Sequence, residues 1–282
     1  IPLKNFMLAL SPKLEPSKNL QPFRCFLEFI GRDQEISALN SIRDRAENFG
    51  WMVITGDGGV GKTRLAMEFI NRSIDLGWHS GFIDDVSLRQ FVERERFDKW
   101  FPLRDTLIVV DYAANKRSNL LKLMYRCYSM LSNAYHEDQT HSPKVRVVML
   151  ERHARIDNGW LNELLQSGES DVRDYIETSF QGVMNLLPPG FDANEDPYEA
   201  TVLFLKSAFK AWSRLTQKDA PAFPEFSDLD LWQIKSNTGN KPLLLQMAAI
   251  NACEAGNAKA LPQWGRSKIL LEAVVRERWY VK

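Results

Sequence analysis

The chain has 282 residues, and its 36 basic side chains equal its 36 acidic ones, so the formal net charge at pH 7 is zero. Hydrophobic residues make up 44% and charged residues 26%, which is typical of a globular protein with one large domain or two modest ones. The balanced charge argues against nucleic acid or an acidic membrane surface as the dominant partner.

The cysteines and histidines form no recognisable site. Cys25, Cys127 and Cys253 are widely spaced and odd in number, which argues against a disulfide framework and favours a reducing, cytoplasmic location. Each cysteine is expected to be a small buried hydrophobic residue. The four histidines form no pair at helical spacing, so no metal site made from protein ligands alone is predicted. No apolar run approaches membrane-spanning length and no signal-peptide pattern opens the chain, so no membrane contact is expected.

The chain begins with a proline-rich segment followed by a short helix. Residues 1–24 contain four prolines, which break helices and strand ladders, so this stretch is interpreted as a linker or a segment draped over the domain. Beyond it, Gly31 supplies a turn and Asp33 is expected to cap a helix. The apolar face of that helix is expected to comprise Ile36, Leu39, Ile42 and Ala46.

Residues 56–63 read Gly-Asp-Gly-Gly-Val-Gly-Lys-Thr, which matches the phosphate-binding pattern G-x-x-x-x-G-K-T. An apolar, strand-like stretch at 51–55 precedes the pattern, and an amphipathic, helix-like stretch at 64–70 follows it. The alternative is a chance match on a glycine-rich turn, and the strand–loop–helix context argues against that alternative.

The residue types explain how such a loop binds nucleotide. Its glycines let backbone amides surround an anion at the positive end of the next helix. Lys62 is expected to neutralise the β- and γ-phosphates, and the Thr63 hydroxyl is expected to coordinate Mg²⁺. The predicted nucleotide-binding residues of this stretch are Gly56, Gly58, Gly59, Val60, Gly61, Lys62, Thr63 and Arg64.

An acidic residue ends the next strongly apolar stretch. Residues 106–110 are nearly all β-formers, as in a strand buried on both faces of a parallel sheet, and Asp111 follows them. A carboxylate at that edge is expected to hold Mg²⁺ together with Thr63, and the alternative is an aspartate that opens a turn or caps a helix. Between the two motifs the patterns predict a helix ending near Gly77, a strand at 80–84 and a charged helix at 87–101.

A basic cluster follows the next predicted strand. An amphipathic helix at 117–135 precedes this strand at 145–150. Arg152 is expected to reach the γ-phosphate and report its presence, in preference to Arg155, which is further from the strand end. The alternative is a solvent-facing arginine cluster. A fifth strand is predicted at 182–187, before a Pro-Pro-Gly stop.

Five strands with interleaved helices predict an α/β fold with a five-stranded, parallel, doubly wound sheet. Beyond the sheet only helical patterns occur, at 197–216, 228–237, 242–255 and 267–280. The predicted domains are a proline-rich leading segment at 1–24, a P-loop nucleotide-binding domain at 25–189 and a helical lid domain at 190–282.

These motifs, in this order, resemble the STAND class of signal-transduction ATPases, the group of NB-ARC and NACHT-type proteins, and its bacterial members in particular. The similarity spans residues 29–279, nearly the whole chain. The matching stretches are 29–35 with the opening hhGRxxE motif, 56–63 with Walker A, 107–113 with Walker B, 145–152 with the sensor-one strand, 239–245 with the GxP motif and 276–279 with a closing Arg-Glu-Arg-Trp.

The resemblance implies an ATP or ADP site with Mg²⁺ as cofactor. In this family the backbone of the opening motif embraces adenine, and the GxP proline lies against the base. The implied catalytic residues are Lys62, Asp111 and Arg152, the Mg²⁺ ligands are Thr63 and Asp111, and the adenine contacts are Ile30, Gly31, Arg32 and Pro242.

The chain departs from the family in two respects. NB-ARC-like members carry a second acid soon after the Walker B aspartate, whereas Tyr112, Ala113 and Ala114 follow it here. Glu151 or Asp84 is then the candidate for the missing base, and slow hydrolysis is expected. The family's effector and sensor domains do not occur in this sequence, so they are expected as domains or subunits outside it.

The expected function is an ATP/ADP-binding molecular switch with slow Mg²⁺-dependent hydrolysis, the NTPase module of a STAND-type signalling protein that oligomerises when ATP is bound. The resemblance suggests a defence role in bacteria. The main alternative is a nucleotide-locked scaffold with negligible turnover, which the missing acid favours. An AAA+-like machine acting on DNA fits the zero net charge poorly. A P-loop kinase would need an acceptor site that the sequence does not reveal.

Overall fold

A computed structural model describes residues 1–5, 27–94, 97–134, 143–189 and 197–277. Within these ranges the chain forms five strands with interleaved helices, and from residue 197 onward it is helical. The strands are β1 Phe49–Thr55, β2 His79–Phe82, β3 Thr106–Asp111, β4 Val145–Leu150 and β5 Phe180–Asn185. The helices are α1 Asp33–Asp44, α2 Lys62–Asp75, α3 Asp85–Val92, α4 Arg117–Ala134, α5 Gly159–Leu165, α6 Ser170–Thr178, α7 Pro197–Thr216, α8 Asp228–Thr238, α9 Pro242–Ala255 and α10 Arg266–Glu277.

The chain divides into two compact units that are interleaved along the sequence. Among the described residues, the first unit holds 1–5, 33–57 and 65–186, and we call it the sheet unit. The second holds 27–32, 58–64 and 187–277, and we call it the helical unit. Residues 58–64, which include most of the predicted phosphate-binding loop, and the opening segment at 27–32 therefore group with the carboxyl-terminal helices.

All five strands of the sheet unit are parallel, in the order β2-β3-β4-β1-β5. This arrangement confirms the predicted five-stranded parallel sheet. The sequence pattern indicated it because helices between successive strands provide the crossovers that parallel strands need. β1, β3 and β4 have buried residues along nearly their full length, which explains why they read as continuous apolar runs. Edge strand β5 is only half-buried.

One buried charge interrupts the apolar strand β4. The Arg146 guanidinium donates to the carbonyl oxygens of Ile42, Arg45 and Glu47 at 2.8–2.9 Å. These bonds satisfy a side chain that would otherwise be costly to bury, and they join the end of α1 to the sheet. Burial also lowers the pKa of Arg146.

The helical unit has its own apolar core. The core is built around α9, which is apolar over most of its surface because it packs against α7 and α10. Ser227 and Asp230 form a reciprocal capping box at the start of α8. Pro242 occupies the first turn of α9, where its missing N–H costs nothing, and Gly256 ends the helix at φ 63°.

Several predicted boundaries differ from the structure for reasons of tertiary packing. The helix predicted at 87–101 ends at Val92. Beyond it Phe97 and Trp100 make edge-on contacts with Phe91, at 5.2 and 5.3 Å between ring centroids, and aromatic packing replaces helical continuation. The fifth strand begins two residues earlier than predicted, and Ala46 lies beyond α1. Helices α5 and α6 were not predicted.

Two of the predicted buried cysteines are confirmed. Cys127 and Cys253 are both buried, and burial raises the pKa of each thiol to about 12, which leaves them unreactive. Cys25 lies outside the described residues, as does most of the proline-rich segment at 1–24. No helix in the described ranges is long and apolar enough to cross a membrane.

Candidate nucleotide-binding site

The carboxyl ends of three strands lie in one row at the edge of the sheet. In the parallel register Asp111 of β3 lies beside Leu150 of β4, which lies beside Ile54 of β1. Since neighbouring strands are spaced by about 4.8 Å, Asp111 is roughly 10 Å from Ile54. The sheet thus presents Asp111 at the edge where β1 ends, and this is the edge at which α/β sheets bind ligands.

Backbone contacts fix the chain where it leaves β1. The N–H of Gly56 donates to the carbonyl oxygen of Arg152 at 3.2 Å, and the N–H of Glu151 donates to that of Ile54 at 3.0 Å. The first glycine of the phosphate-binding pattern is therefore bonded to the residue predicted to sense the γ-phosphate. This contact lies within the sheet unit.

The loop conformation agrees with its glycine content. Gly56, Gly59 and Gly61 have φ angles of 147°, 83° and 103°, a region that side-chain-bearing residues rarely adopt. Gly58 does not share this conformation. Helix α2 begins at Lys62, so the predicted phosphate-binding lysine opens the helix whose amino-terminal dipole favours an anion.

The start of α9 contacts the phosphate-binding loop within the helical unit. The N–H of Leu243 donates to the carbonyl oxygen of Gly59 at 3.3 Å. A Cβ atom added to Gly59 would lie 3.3 Å from the Leu243 Cβ. A free amide of the first helical turn thus finds its acceptor in the loop, and the residue after Pro242 packs directly on the loop backbone.

The opening segment also lies against the loop. Arg32, in the left-handed region at φ 69°, donates from its guanidinium to the carbonyl oxygens of Val60, at 3.3 Å, and of Leu187. The Arg64 guanidinium lies 5.5 Å from the centroid of the Phe29 ring. These contacts bring predicted adenine-binding and phosphate-binding residues together in one unit.

A buried asparagine holds the connection between α8 and α9. Asn240 is 1% exposed and adopts φ 51°, directly after the helix-ending Gly239. Its Oδ1 accepts from the Thr201 hydroxyl at 2.6 Å, and its Nδ2 donates to the carbonyl oxygen of Pro189 at 3.1 Å. Both ends of the amide are satisfied, and this fixes the direction in which α9 begins.

The turn after β3 is held by charged side chains. Oδ1 of Asp111 accepts from the N–H of Tyr112 at 2.9 Å, and the ammonium group of Lys116 donates to the carbonyl oxygen of Asp111. From the end of β4, Oε2 of Glu151 accepts from the N–H of Ala114 at 3.1 Å. The Walker B-like aspartate therefore sits in a turn that is braced from two sides.

Neither carboxylate considered as a replacement base is set up for that task. Glu151 uses one oxygen on Ala114 and the other on the N–H of Arg152, at 2.8 Å. Asp84 caps α3 through Ser87 and pairs with Lys4. The hydrogen bond from Lys4 and that from Ser87 lower the pKa of Asp84 to about 2, far below the range of an effective proton acceptor at neutral pH.

The two arginines of the basic cluster differ in their partners. Arg155 makes a two-pronged ion pair with Asp157, with N–O distances of 3.0 and 2.7 Å. Arg152 is exposed, and its guanidinium makes no hydrogen bond or ion pair to any residue that the structure describes. The preference for Arg152 over Arg155 as sensor is compatible with this arrangement and stays a prediction.

Comparisons with known proteins identify the fold. No protein-family model matches the chain, and no curated protein matches it. The replication initiator DnaA bound to AMPPCP and single-stranded DNA aligns with a TM-score of 0.50 and 14% identity, over 97% of this chain and 76% of that one. Cdc6p from Pyrobaculum aerophilum aligns with a TM-score of 0.50 and 13% identity, over 86% of this chain and 67% of that one. Domain III of DnaA from Thermotoga maritima aligns over the full length of both chains, with a TM-score of 0.49 and 13% identity.

Identities this low establish the fold alone. The chain has the α/β fold of the AAA+ type of P-loop NTPase, a five-stranded parallel sheet followed by a helical carboxyl-terminal part. Residues 56–61 join β1 to α2 in this fold, which is the strand–loop–helix context that the phosphate-binding pattern requires.

Sequence reasoning missed the residues that position the site. Lys116, Asn240 and Leu243 contact backbone groups at or beside the predicted motifs. Asn240 and Leu243 lie inside the Gly-Asn-Lys-Pro-Leu stretch, so that motif was a usable signal. No sequence pattern marks Lys116, because lysines often follow a strand by five residues and its contacts depend on the folded turn.

Proposed function

We propose that this chain is an ATP/ADP-binding molecular switch with slow Mg²⁺-dependent hydrolysis, the NTPase module of a STAND-type signalling protein. The supporting observation is the contact between Gly59 in the phosphate-binding loop and Leu243 at the start of α9. A helix seated on the loop can respond to what the loop binds. A nucleotide that favours one loop conformation shifts the seating of α9 by its differential contacts with the two states.

The residue types suit a nucleotide with Mg²⁺. In this proposal the loop amides and Lys62 hold the phosphates, and Thr63 and Asp111 supply hard oxygen ligands to the ion. No group of three or more His, Cys, Asp or Glu side chains in the described ranges could hold a metal alone, so phosphate and water oxygens would complete the shell. Bound Mg²⁺ would neutralise the charge of the phosphates.

In this proposal, residues 30–32 and Pro242 contact the adenine base, and Arg152 contacts the γ-phosphate. Ile30, Gly31 and Arg32 border the base, and Pro242 lies against it. Arg152 detects the γ-phosphate, and loss of that contact after hydrolysis favours the ADP-bound, α9-seated state. ATP-bound molecules self-associate and bring together effector and sensor parts outside this chain. The domain boundaries at residues 24–25 and 189–190 belong to the same proposal.

The test is to denature the purified chain, identify any released nucleotide by chromatography, and assay the same preparation for phosphate release from ATP. Stoichiometric ADP with slow turnover is the expected result. An empty site with brisk turnover would contradict a resting switch. The Lys62→Ala variant, purified in parallel, should carry no nucleotide and so excludes adventitious carry-over.

A nucleotide-locked scaffold is the second candidate, and one observation favours it. Glu151 and Asp84 are both bonded to other groups, so neither is placed to activate water in the described structure. Retained ATP with no measurable phosphate release would select this candidate over the switch.

Nucleic acid is a further partner class to test, because one structure with the same fold is bound to single-stranded DNA. Fluorescence anisotropy with a labelled single-stranded oligonucleotide, in ATP and in ADP, tests it directly. Phosphate contacts would weaken steeply between about 50 and 200 mM salt. The balanced charge of the chain leads us to expect no binding at the higher salt.

A further inference from the structure

The turn that follows β3 contains a strained residue beside the predicted metal ligand. Tyr112 adopts φ 53° and ψ 55°, the left-handed region, and the residue is 56% exposed. A bulky residue with a Cβ is rarely found there, because the Cβ crowds the backbone. Such strain persists only where the surroundings impose it, and it concentrates at functional sites.

The conformation of Tyr112 sets the orientation of Asp111. Oδ1 of Asp111 accepts from the N–H of Tyr112 at 2.9 Å, so one carboxylate oxygen is bonded to the strained residue's own backbone. If Tyr112 relaxed to negative φ by rotation of the peptide group that joins it to Asp111, that N–H would turn away and the carboxylate would lose this hydrogen bond.

The ammonium group of Lys116 contacts the carbonyl groups on both sides of the Tyr112 Cα atom. It donates to the carbonyl oxygen of Asp111 and lies 3.4 Å from that of Tyr112, so one charge draws two successive carbonyl groups together. Glu151 holds the same turn through Ala114 but touches neither of these carbonyl groups. Hydrogen bonds to a charged donor are strong enough to offset a strained backbone angle.

We infer that Lys116 is a positioning residue that orients the Asp111 carboxylate for Mg²⁺ by holding Tyr112 in the left-handed conformation. This inference rests on the proposed Mg²⁺–nucleotide site. Lys116 would contact neither the ion nor the nucleotide. It acts through the backbone of residues 111 and 112.

The test measures ADP affinity as a function of Mg²⁺ concentration with a fluorescent ADP analogue. Lys116→Met keeps the apolar stem and removes the charge. It should raise the Mg²⁺ concentration needed for half-maximal enhancement of affinity by about tenfold, which corresponds to about 1.4 kcal/mol. Affinity without Mg²⁺ should change less than about twofold, the marker that separates positioning from misfolding.

A second substitution makes the inference specific. In the Lys116→Met background, Tyr112→Gly should restore most of the Mg²⁺ dependence, because glycine adopts positive φ without an ammonium group to hold it. Lys122→Met, at an exposed position of α4, is the matched control and should behave like the parent chain.

Amide hydrogen exchange of the nucleotide-free chain provides an independent readout. The N–H groups of Tyr112 and Ala114 should exchange about tenfold faster in Lys116→Met, because the turn opens more often. Unchanged exchange and an unchanged Mg²⁺ titration would overturn the role of Lys116. If Asp111→Asn also leaves the Mg²⁺ titration unchanged, Asp111 is not a Mg²⁺ ligand and the proposed metal site fails. The exchange rates of Tyr112 and Ala114 then still show whether Lys116 holds the turn.

Discussion

The seating of α9 on the phosphate-binding loop can be tested by adding one carbon atom. In Gly59→Ala the new Cβ would lie 3.3 Å from the Leu243 Cβ, closer than apolar carbons normally approach, on a residue at φ 83°. An L-residue in the left-handed region costs about 1–2 kcal/mol, and the close contact adds to it. A total near 2 kcal/mol corresponds to about a 30-fold shift away from the seated state.

The assay is release of a fluorescent ADP analogue in a stopped-flow chase with unlabelled ADP. If seated α9 retains ADP, Gly59→Ala should release it about 30-fold faster. Gly58→Ala is the matched control in the same loop, because Gly58 lacks a positive φ and a Cβ there would meet nothing within 4 Å.

A variant outside the loop separates the helix contact from damage to the loop itself. Leu243→Ala removes part of the half-buried contact, worth about 1 kcal/mol, and should speed ADP release about fivefold without changing the loop sequence. Equal release rates for Gly59→Ala and Gly58→Ala, together with an unaffected Leu243→Ala, would refute the seating argument.

Three further outcomes are expected. Lys62→Ala should lose tight ATP and ADP binding in calorimetry, and an unchanged affinity would remove the phosphate-loop assignment. Arg152→Ala should reduce the preference between ATP and ADP about tenfold, whereas Arg155→Ala, whose guanidinium is bound to Asp157, should not; equal effects of both variants would contradict the sensor assignment. The hydrogen bonds from Lys4 and Ser87 lower the pKa of Asp84 from 3.8 to about 2, so its stabilising contribution is complete above about pH 4 and is lost as the pH falls towards 2. Asp84→Asn should therefore flatten that part of an acid-unfolding curve followed by circular dichroism, and a curve unchanged from the parent chain would contradict it.

The local motifs could be read from the sequence because their physics is local. A glycine-rich loop between a strand and a helix, and a run of β-formers ending in Asp111, each carry their chemistry within a few residues. The parallel sheet followed from strands spaced by helices, and the structure confirms it. The STAND assignment and the site roles rest on motif resemblance and remain proposals.

Only the tertiary structure decided which segments lie together. Residues 58–64 lie close to β1 in the sequence, yet they group with the carboxyl-terminal helices, and Leu243 and Arg32 donate to carbonyl oxygens of this segment. The bond from Lys116 to the carbonyl oxygen of Asp111, and the positive φ of the adjacent Tyr112, could not be predicted from the sequence. Hydrophobic spacing records which face of a segment is buried. It does not record which distant backbone carbonyl a side chain will reach, because that depends on how the loops fold between elements.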